Sequence, residues 1–445
     1  MKKLVLVFLL AAVLVSCKKE RTPGVQPVDV VVQVSHSINI SDYSLPVNGV
    51  KVKITNISSG TSQERISDAS GKIIFQSLTP GLYDIDATYT IKAADYTNVT
   101  NIQTDSDVSF NASEKSKEIN ASSTDAVELK LIAGTPGQWV IKQVYYAGSN
   151  TVDGAGFRDQ FIEFYNNTDK VLYADSLYFG QLWGRQSTTG TLNMNILASG
   201  QLDWSKSVGM TMGAIANTGH VYMRSLFMLP GNGKQYPVQP GSSIVVAQTA
   251  LNHKVPFTGN NGREYSARNP ELTIDLSGAN FEAYYGDLAI AEGGTPFASD
   301  IDNPNVPNLE VVSYYGNDML FDNPGRDGFV IFKVDGTQNV KNWPQYYEPL
   351  LATPTSSARK YIQVPHKYIL DAIEIQPNTA ASRIPKKLPA GFDAGFTFAP
   401  KGQYTSQSVI RKTEKTVAGR RILKDTNNST EDFDFLDLAQ PKGFK

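Results

Sequence analysis

From residue 28 onward, apolar side chains fall on every second position, and glycine-bearing turns cut that alternation into short pieces. Val28, Val30, Val32 and Val34 stand on one side of an extended chain, the period of a half-buried strand. The same signal returns at Val50, Val52 and Ile54, at Ile73 to Phe75, and at Tyr83 and Ile85. Between these pieces stand Asn48-Gly49, Ser59-Gly60, Ala69-Ser70-Gly71 and Pro80-Gly81, pairs and triplets that reverse a chain. Helical periodicity is lacking, so the pattern predicts an all-β protein that opens with a small antiparallel sandwich. That sandwich should close near Leu129 and Leu131, before a break at residues 134–137.

With one cysteine in the whole chain, Cys17, neither disulfides nor thiolate metal sites are available. Stability must come from packed cores. Lys2 and Lys3 precede an apolar run at residues 4–15, then Ser16 and Cys17. The run is too short for a spanning helix, which needs about 20 residues, and reads as a targeting segment. Leu14-Val15-Ser16-Cys17 resembles a bacterial lipoprotein box. The resemblance implies removal of residues 1–16, thioether lipidation of Cys17 and acylation of the new terminus. Each buried methylene contributes about 0.8 kcal/mol, and two or more chains hold firmly. Residues 17–27 then form a flexible tether. Lys18-Lys19-Glu20 carries one acid, whereas surface-export signals of such bacteria usually carry more, so either side of the outer membrane stays open.

Two longer resemblances follow. Pro46, Asn48-Gly49-Val50, Ser67-Asp68-Ala69-Ser70-Gly71-Lys72 and Leu78-Thr79-Pro80-Gly81-Leu82-Tyr83 resemble the carboxypeptidase-regulatory-like, prealbumin-like sandwich. The likeness covers residues 28–134, where the Asp-x-x-Gly turn and the tyrosine corner are structural parts. Phe161-Ile162-Glu163-Phe164-Tyr165-Asn166, with a return strand through Val171 to Leu177, resembles a lamin-tail-like immunoglobulin-fold domain. Val238 to Gln248, Gly328 to Phe332, Ser408 to Lys412 and Asp425 to Phe433 fit it further. These pieces spread over residues 138–445, so the second sandwich should carry large insertions at about 180–236, 250–325 and 335–405. The combination is similar to a family of Bacteroidota lipoproteins. That likeness implies association with outer-membrane TonB-dependent transporters.

Catalytic chemistry finds no support. The four histidines, His36, His220, His253 and His366, show no metal-ligand spacing, and the H-E-x-x-H, G-x-S-x-G and P-loop patterns are lacking. Carboxylates that meet only in the fold stay open. Loops around Asp300 and Asp302, Asp322, and Asp425 offer oxygen ligands to calcium. They read first as turns in which Asp and Asn bond their own backbone. A net charge of −2 speaks against nucleic acid. Lys386-Lys387, Arg411-Lys412 and Arg420-Arg421 give the last hundred residues a mild basic excess, readable as scattered surface charge or as a contact for acidic lipid or glycan.

The first insertion stands out. It has few charges and holds Trp183, Trp204, His220 and five of the seven methionines, among them Met194, Met210, Met212, Met223 and Met228. Methionine suits irregular cores and broad binding surfaces alike. One reading makes Trp183, Trp204, Met210, Met212, His220, Met223 and Met228 a docking or ligand face; the other makes them core beneath the insertion. The expectation is a non-enzymatic envelope protein, held to the outer membrane by lipid, that binds a nutrient or partner beside a transporter without cofactor or metal. A structural or adhesive surface protein and a hydrolase with hidden carboxylates are the alternatives. Helix should be minor, a turn or two near Tyr368 to Glu374.

Overall fold

The computed structural model describes residues 26–36, 45–100, 107–134, 137–189, 193–334 and 338–445. The targeting run and the lipidation expected at Cys17 lie outside the described residues. The fold is all-β. Its first unit comprises β1 (Val28–His36), β2 (Lys51–Asn56), β3 (Ser62–Ile66), β4 (Lys72–Leu78), β5 (Gly81–Ile91), β6 (Val108–Ile119) and β7 (Val127–Gly134). They pair in the order β3-β2-β5-β6-β7-β1-β4. One helix, Ala93–Thr100, leads toward β6. The period-two positions do what the pattern predicts. Val30, Val32, Val34, Val52, Ile54, Ile73, Phe75 and Ile85 are buried in one core. One pair departs from the expected antiparallel arrangement: β1 and β7 run parallel.

Its turns explain themselves locally. In the Asp68 turn, the carboxylate accepts the amides of Ser70 at 2.8 Å and Lys72 at 3.0 Å. Gly71 there has φ of 78°, and a Cβ would meet the Val34 carbonyl at 2.5 Å, so only glycine closes this turn without strain. The Tyr83 hydroxyl donates to the Thr79 carbonyl at 2.7 Å, which ties the corner before β5.

Residues 138–445 form two facing sheets. Their main strands are β8 (Trp139–Tyr145), β9 (Phe161–Asn166), β10 (Leu177–Leu182), β11 (His220–Met228), β12 (Ser243–Ala247), β13 (Phe281–Glu282) and β14 (Glu310–Ser313). Then come β15 (Gly328–Lys333), β16 (Gln345–Tyr347), β17 (Lys360–Pro365), β18 (Ile369–Glu374), β19 (Ser408–Arg411) and β20 (Phe433–Leu436). One sheet has the order β13-β12-β9-β8-β19-β20; the other is β16-β17-β11-β10-β15-β18, with β14 also on β11. Phe164 and Phe179 meet across the interior at 5.2 Å, and Phe179 stacks on Phe227 at 4.9 Å. With Ile162, Val246, Phe329, Ile331 and Ile373 they make the main core. Full burial of each such side chain contributes roughly 1.5–3 kcal/mol.

Three expectations need correction. The return strand after Asn166 does not pair with β9. The chain crosses over, and β10 enters the opposite sheet between β11 and β15, because both its faces are buried and alternation could not assign a neighbour. The segments read as insertions supply strands of that sheet: β11, β14, β16, β17 and β18. Finally, the turn of helix near Tyr368 covers only His366–Tyr368, and Ile369–Glu374 is a strand. Ile369, Asp371, Ala372 and Ile373 register against β15, a tertiary pairing that overrides local propensity.

The basic excess is not merely scattered surface charge. Lys386 and Lys387 are half-buried and turn their ammonium groups inward. Lys386 donates to the carbonyls of Asp393 and Gly395, and Lys387 to that of Arg326 at 2.6 Å. Arg411 is buried.

Candidate functional site

Above β11 the chain assembles a series of aromatic rings. Strand alternation sends Tyr222 to one face of β11 and Met223 to the other. The Tyr222 hydroxyl donates to the Ala216 carbonyl and accepts from Gln363 Nε2, both at 2.9 Å. Trp204 stacks on Tyr222 with centroids 3.6 Å apart and planes 9° apart, and meets Tyr361 edge-on at 6.0 Å. Trp183, the first residue after β10, stacks on Tyr361 at 4.8 Å and on Tyr315 at 5.8 Å. The series therefore runs Tyr222, Trp204, Tyr361, Trp183, Tyr315. Its inner end is buried, and its outer member is 39% exposed. Each aromatic contact adds about 0.5–1.5 kcal/mol beyond area burial.

Charge is fixed around the outer end. The guanidinium carbons of Arg224 and Arg359 lie 4.5 Å and 4.9 Å from the Tyr315 centroid, within cation–π range. Trp183 Nε1 donates to Glu348 Oε1 at 3.1 Å. Burial raises the Glu348 carboxyl above the usual range, against that hydrogen bond. Arg224 is tied to the buried Asp327 at 3.4 Å. Each ring of the series has a hydrogen-bond or stacking partner.

The seven residues singled out in the sequence separate here. Trp183, Trp204 and Met210 share one small core with Met194, Leu202, Tyr222 and Tyr361. Met223 and Met228 belong to another, with Tyr178, Leu182 and Phe332. Met212 is exposed, and His220 is half-buried with Nδ1 3.1 Å from the Ile215 carbonyl. Tyr315, Tyr361, Arg359 and Glu348 are not legible in the sequence as site residues, because they come from strands and loops far from that stretch; Tyr222 and Arg224 flank Met223 within it, where the methionine and tryptophan content is the only signal. Around the aromatic core, Val208, Met212, Ile215 and Leu351 are exposed large apolar side chains. Ser207, beside Val208, donates its hydroxyl to the Tyr347 carbonyl, which brings the two exposed segments together.

Two polar clefts lie elsewhere. One of about 440 Å³ is lined by Gln186, Ser187, Thr188, Arg326, Asn378 and Gln403, among others. Another of about 340 Å³ lies between the sandwiches, where Tyr89 and Asn111 face Lys424 and Thr426. Asn111 Nδ2 donates to the Thr426 carbonyl at 2.5 Å there. Among the described residues no three His, Cys, Asp or Glu side chains are grouped to hold a metal ion. His253 is fully buried and pushed down to about 4 by that burial, a neutral core imidazole. In the loops considered for calcium, Asp322 pairs with Arg326 at 2.7 Å and Asp425 with Arg411 at 3.0 Å, so both are engaged by the protein itself.

Comparison with known proteins gives two likenesses. A family model described as a protein of unknown function (DUF4876) matches residues 239–439. Among solved structures, a DUF4876 family protein from Bacteroides thetaiotaomicron is similar at 23% identity and a TM-score of 0.52. The match covers 92% of this chain and 95% of that one. No curated protein matches. The domain and the structural likeness fit the expected Bacteroidota family, and at that identity the likeness speaks for the fold.

Proposed function

We propose that this chain is a lipid-anchored envelope protein that acts by binding, with the outer end of the aromatic series as its contact face. In this reading Cys17 carries the acyl chains, and the chain serves as a ligand- or partner-binding accessory of an outer-membrane TonB-dependent transporter. Its two units are then a prealbumin-like sandwich near the tether and a lamin-tail-like one beyond it. The observation that carries the reading is Tyr315, an exposed ring braced by Trp183 and flanked by two arginines. Rigid aromatics and arginine dominate binding energy at interfaces. Exposed Val208, Met212, Ile215 and Leu351 on neighbouring segments give such a face apolar area. An anchor on the membrane raises the local concentration of this face near any membrane partner.

The test uses the full chain in its own membrane, with cross-linking to the outer-membrane transporters of that membrane. Tyr315→Ala and Met212→Asp should each cut the cross-linked yield, and Cys17→Ser should release the protein from the lipid fraction. Unchanged cross-linking by both face variants would remove the contact face, and Cys17→Ser protein still fractionating with lipid would remove the anchor.

A further inference from the structure

Packing alone does not exhaust what the aromatic series can do, because it joins an oxidation-prone core to the surface. Trp204, Tyr222 and Tyr361 are buried in one small core, with Met194 and Met210 packed against it. Indole, phenol and thioether are among the side chains that most readily yield an electron to a one-electron oxidant. Oxidation of methionine ends in the sulfoxide, a polar group that disrupts a core. Electron exchange between rings falls steeply with distance and is fastest for rings in contact. Here the centroid steps are 3.6 Å from Tyr222 to Trp204, 6.0 Å on to Tyr361, 4.8 Å on to Trp183 and 5.8 Å on to Tyr315. None exceeds the separation of an ordinary aromatic pair, about 7 Å at most.

Proton acceptors set a direction along the series. A phenol or indole that has lost an electron becomes a strong acid, and its radical settles where the proton can leave. At the inner end the Tyr222 hydroxyl donates to the Ala216 carbonyl at 2.9 Å, a group too weakly basic to take the proton. Burial raises the phenols of Tyr222 and Tyr361, so both hold their protons. The outer end differs. Trp183 Nε1 donates to Glu348 Oε1 at 3.1 Å, a carboxylate made more basic by burial. Tyr315 is 39% exposed, and its phenol releases a proton to water. The guanidinium carbons 4.5 Å and 4.9 Å from that ring oppose a radical cation there and favour the neutral radical left by proton loss.

We infer that the series is an outlet for oxidising equivalents, which carries an electron hole from Trp204 through Tyr361 and Trp183 and makes Tyr315 the residue modified when a one-electron oxidant attacks this core. The steps balance. The oxidant takes one electron from Trp204, and Trp183 replaces it by way of Tyr361. Trp183 then passes its Nε1 proton to Glu348. Tyr315 supplies the missing electron to Trp183 and its phenolic proton to water, while Glu348 returns its proton to the indole. The net change is one electron and one proton lost from Tyr315, and one electron gained by the oxidant. Two such tyrosyl radicals on separate molecules couple to dityrosine, and Met194 and Met210 are spared. This outlet needs no partner at the contact face.

Pulsed ultraviolet photoionisation of the tryptophans in the full chain, with a cobalt(III) ammine complex taking the ejected electrons, tests the outlet. Peptide mass spectrometry then maps the products. In the unaltered protein oxidised product should collect at Tyr315. Tyr315→Phe keeps the stacked ring but removes the phenolic proton, so product should shift inward to Trp183, Trp204, Met194 and Met210. Trp183→Phe should abolish most of the Tyr315 product and raise that at Trp204, although Tyr315 stays exposed. Direct attack on an exposed ring predicts the opposite, a Tyr315 yield that survives Trp183→Phe, and that result would overturn the outlet. So would unchanged product at the four inner residues in Tyr315→Phe, a variant that keeps the stack.

Discussion

Arg411 Nη2 and Asp371 Oδ2 lie 2.7 Å apart, each side chain no more than 2% exposed, and together they bolt three strands. Arg411 belongs to β19 and Asp371 to β18, in opposite sheets. The other groups on the guanidinium include Asp425 at 3.0 Å, Asp432 at 3.5 Å, the Ile141 carbonyl at 2.9 Å and the Lys424 carbonyl at 3.0 Å. Asp371 in turn accepts the Ile141 amide of β8 at 2.6 Å. One cation thus gathers three carboxylates. Burial raises Asp371 and Asp432 even so, against the pull of Arg411.

Arg411→Met should therefore cost about 3–5 kcal/mol, because it leaves buried carboxylates without a counter-charge. Urea unfolding with the midpoint and slope both recorded checks this. A loss under about 1 kcal/mol would mean the carboxylates simply take up protons at little cost.

Stability should fall as pH rises from about 6.5 to 8.5. Burial pushes Glu282 and Asp318 up to about 7, and Asp300 up to about 8. A carboxyl raised in the folded state gives stability that is complete below its unfolded value, near pH 4, and lost as pH climbs through the folded value. His253 has the opposite sign, since its folded value of about 4 lies below the ordinary one. Its effect is confined to pH below about 6.5, so it does not offset the fall. Urea midpoints at the two pH values test the direction, and Asp300→Asn should flatten the upper part of the curve.

The ends of the aromatic series should separate stability from contact. Trp204→Ala, at the buried end, should cost about 3–5 kcal/mol. Tyr315→Ala, at the exposed end, should stay within about 1 kcal/mol and yet reduce cross-linking. Equal losses of stability at both positions would make the series core throughout.

Fold was legible where one face of a strand is wet. Val30, Val32 and Val34 alternate with half-exposed neighbours in β1, so the period showed through. In β8, β9 and β10 every residue is buried, and a strand buried on both faces carries no period to read. That is why the crossover at β10 was mispaired. The aromatic series was half legible: Trp183 and Trp204 lie in one unusual stretch. Tyr315 and Tyr361 reach them only through strand pairing across more than a hundred residues.

Lys142 and Glu163 give a check on what buried charge does here. Their side chains are essentially unexposed and 2.9 Å apart, and Phe444 lies over the ammonium at 3.7 Å. Lys142→Met alone should destabilise by about 3–5 kcal/mol, whereas Lys142→Met with Glu163→Leu should recover most of that loss. Chemical denaturation of the three proteins decides it. No recovery in the double variant would mean that Ser243 and Gln143, which also bond Glu163, hold the pair's value.

Strand β8 finds its neighbour β19 only across a separation of 265 residues, as the hydrogen bond from Ser408 to Gln143 measures it. A newly made chain can close the first sheet early, since the pairing of β1 to β7 needs no strand beyond residue 134. The second must wait until nearly all of it has emerged, with the sticky edges of β8 and β9 open meanwhile. Its maturation is therefore limited by the length of chain delivered, and a helper that shields those edges until then would matter more for this half than for the other.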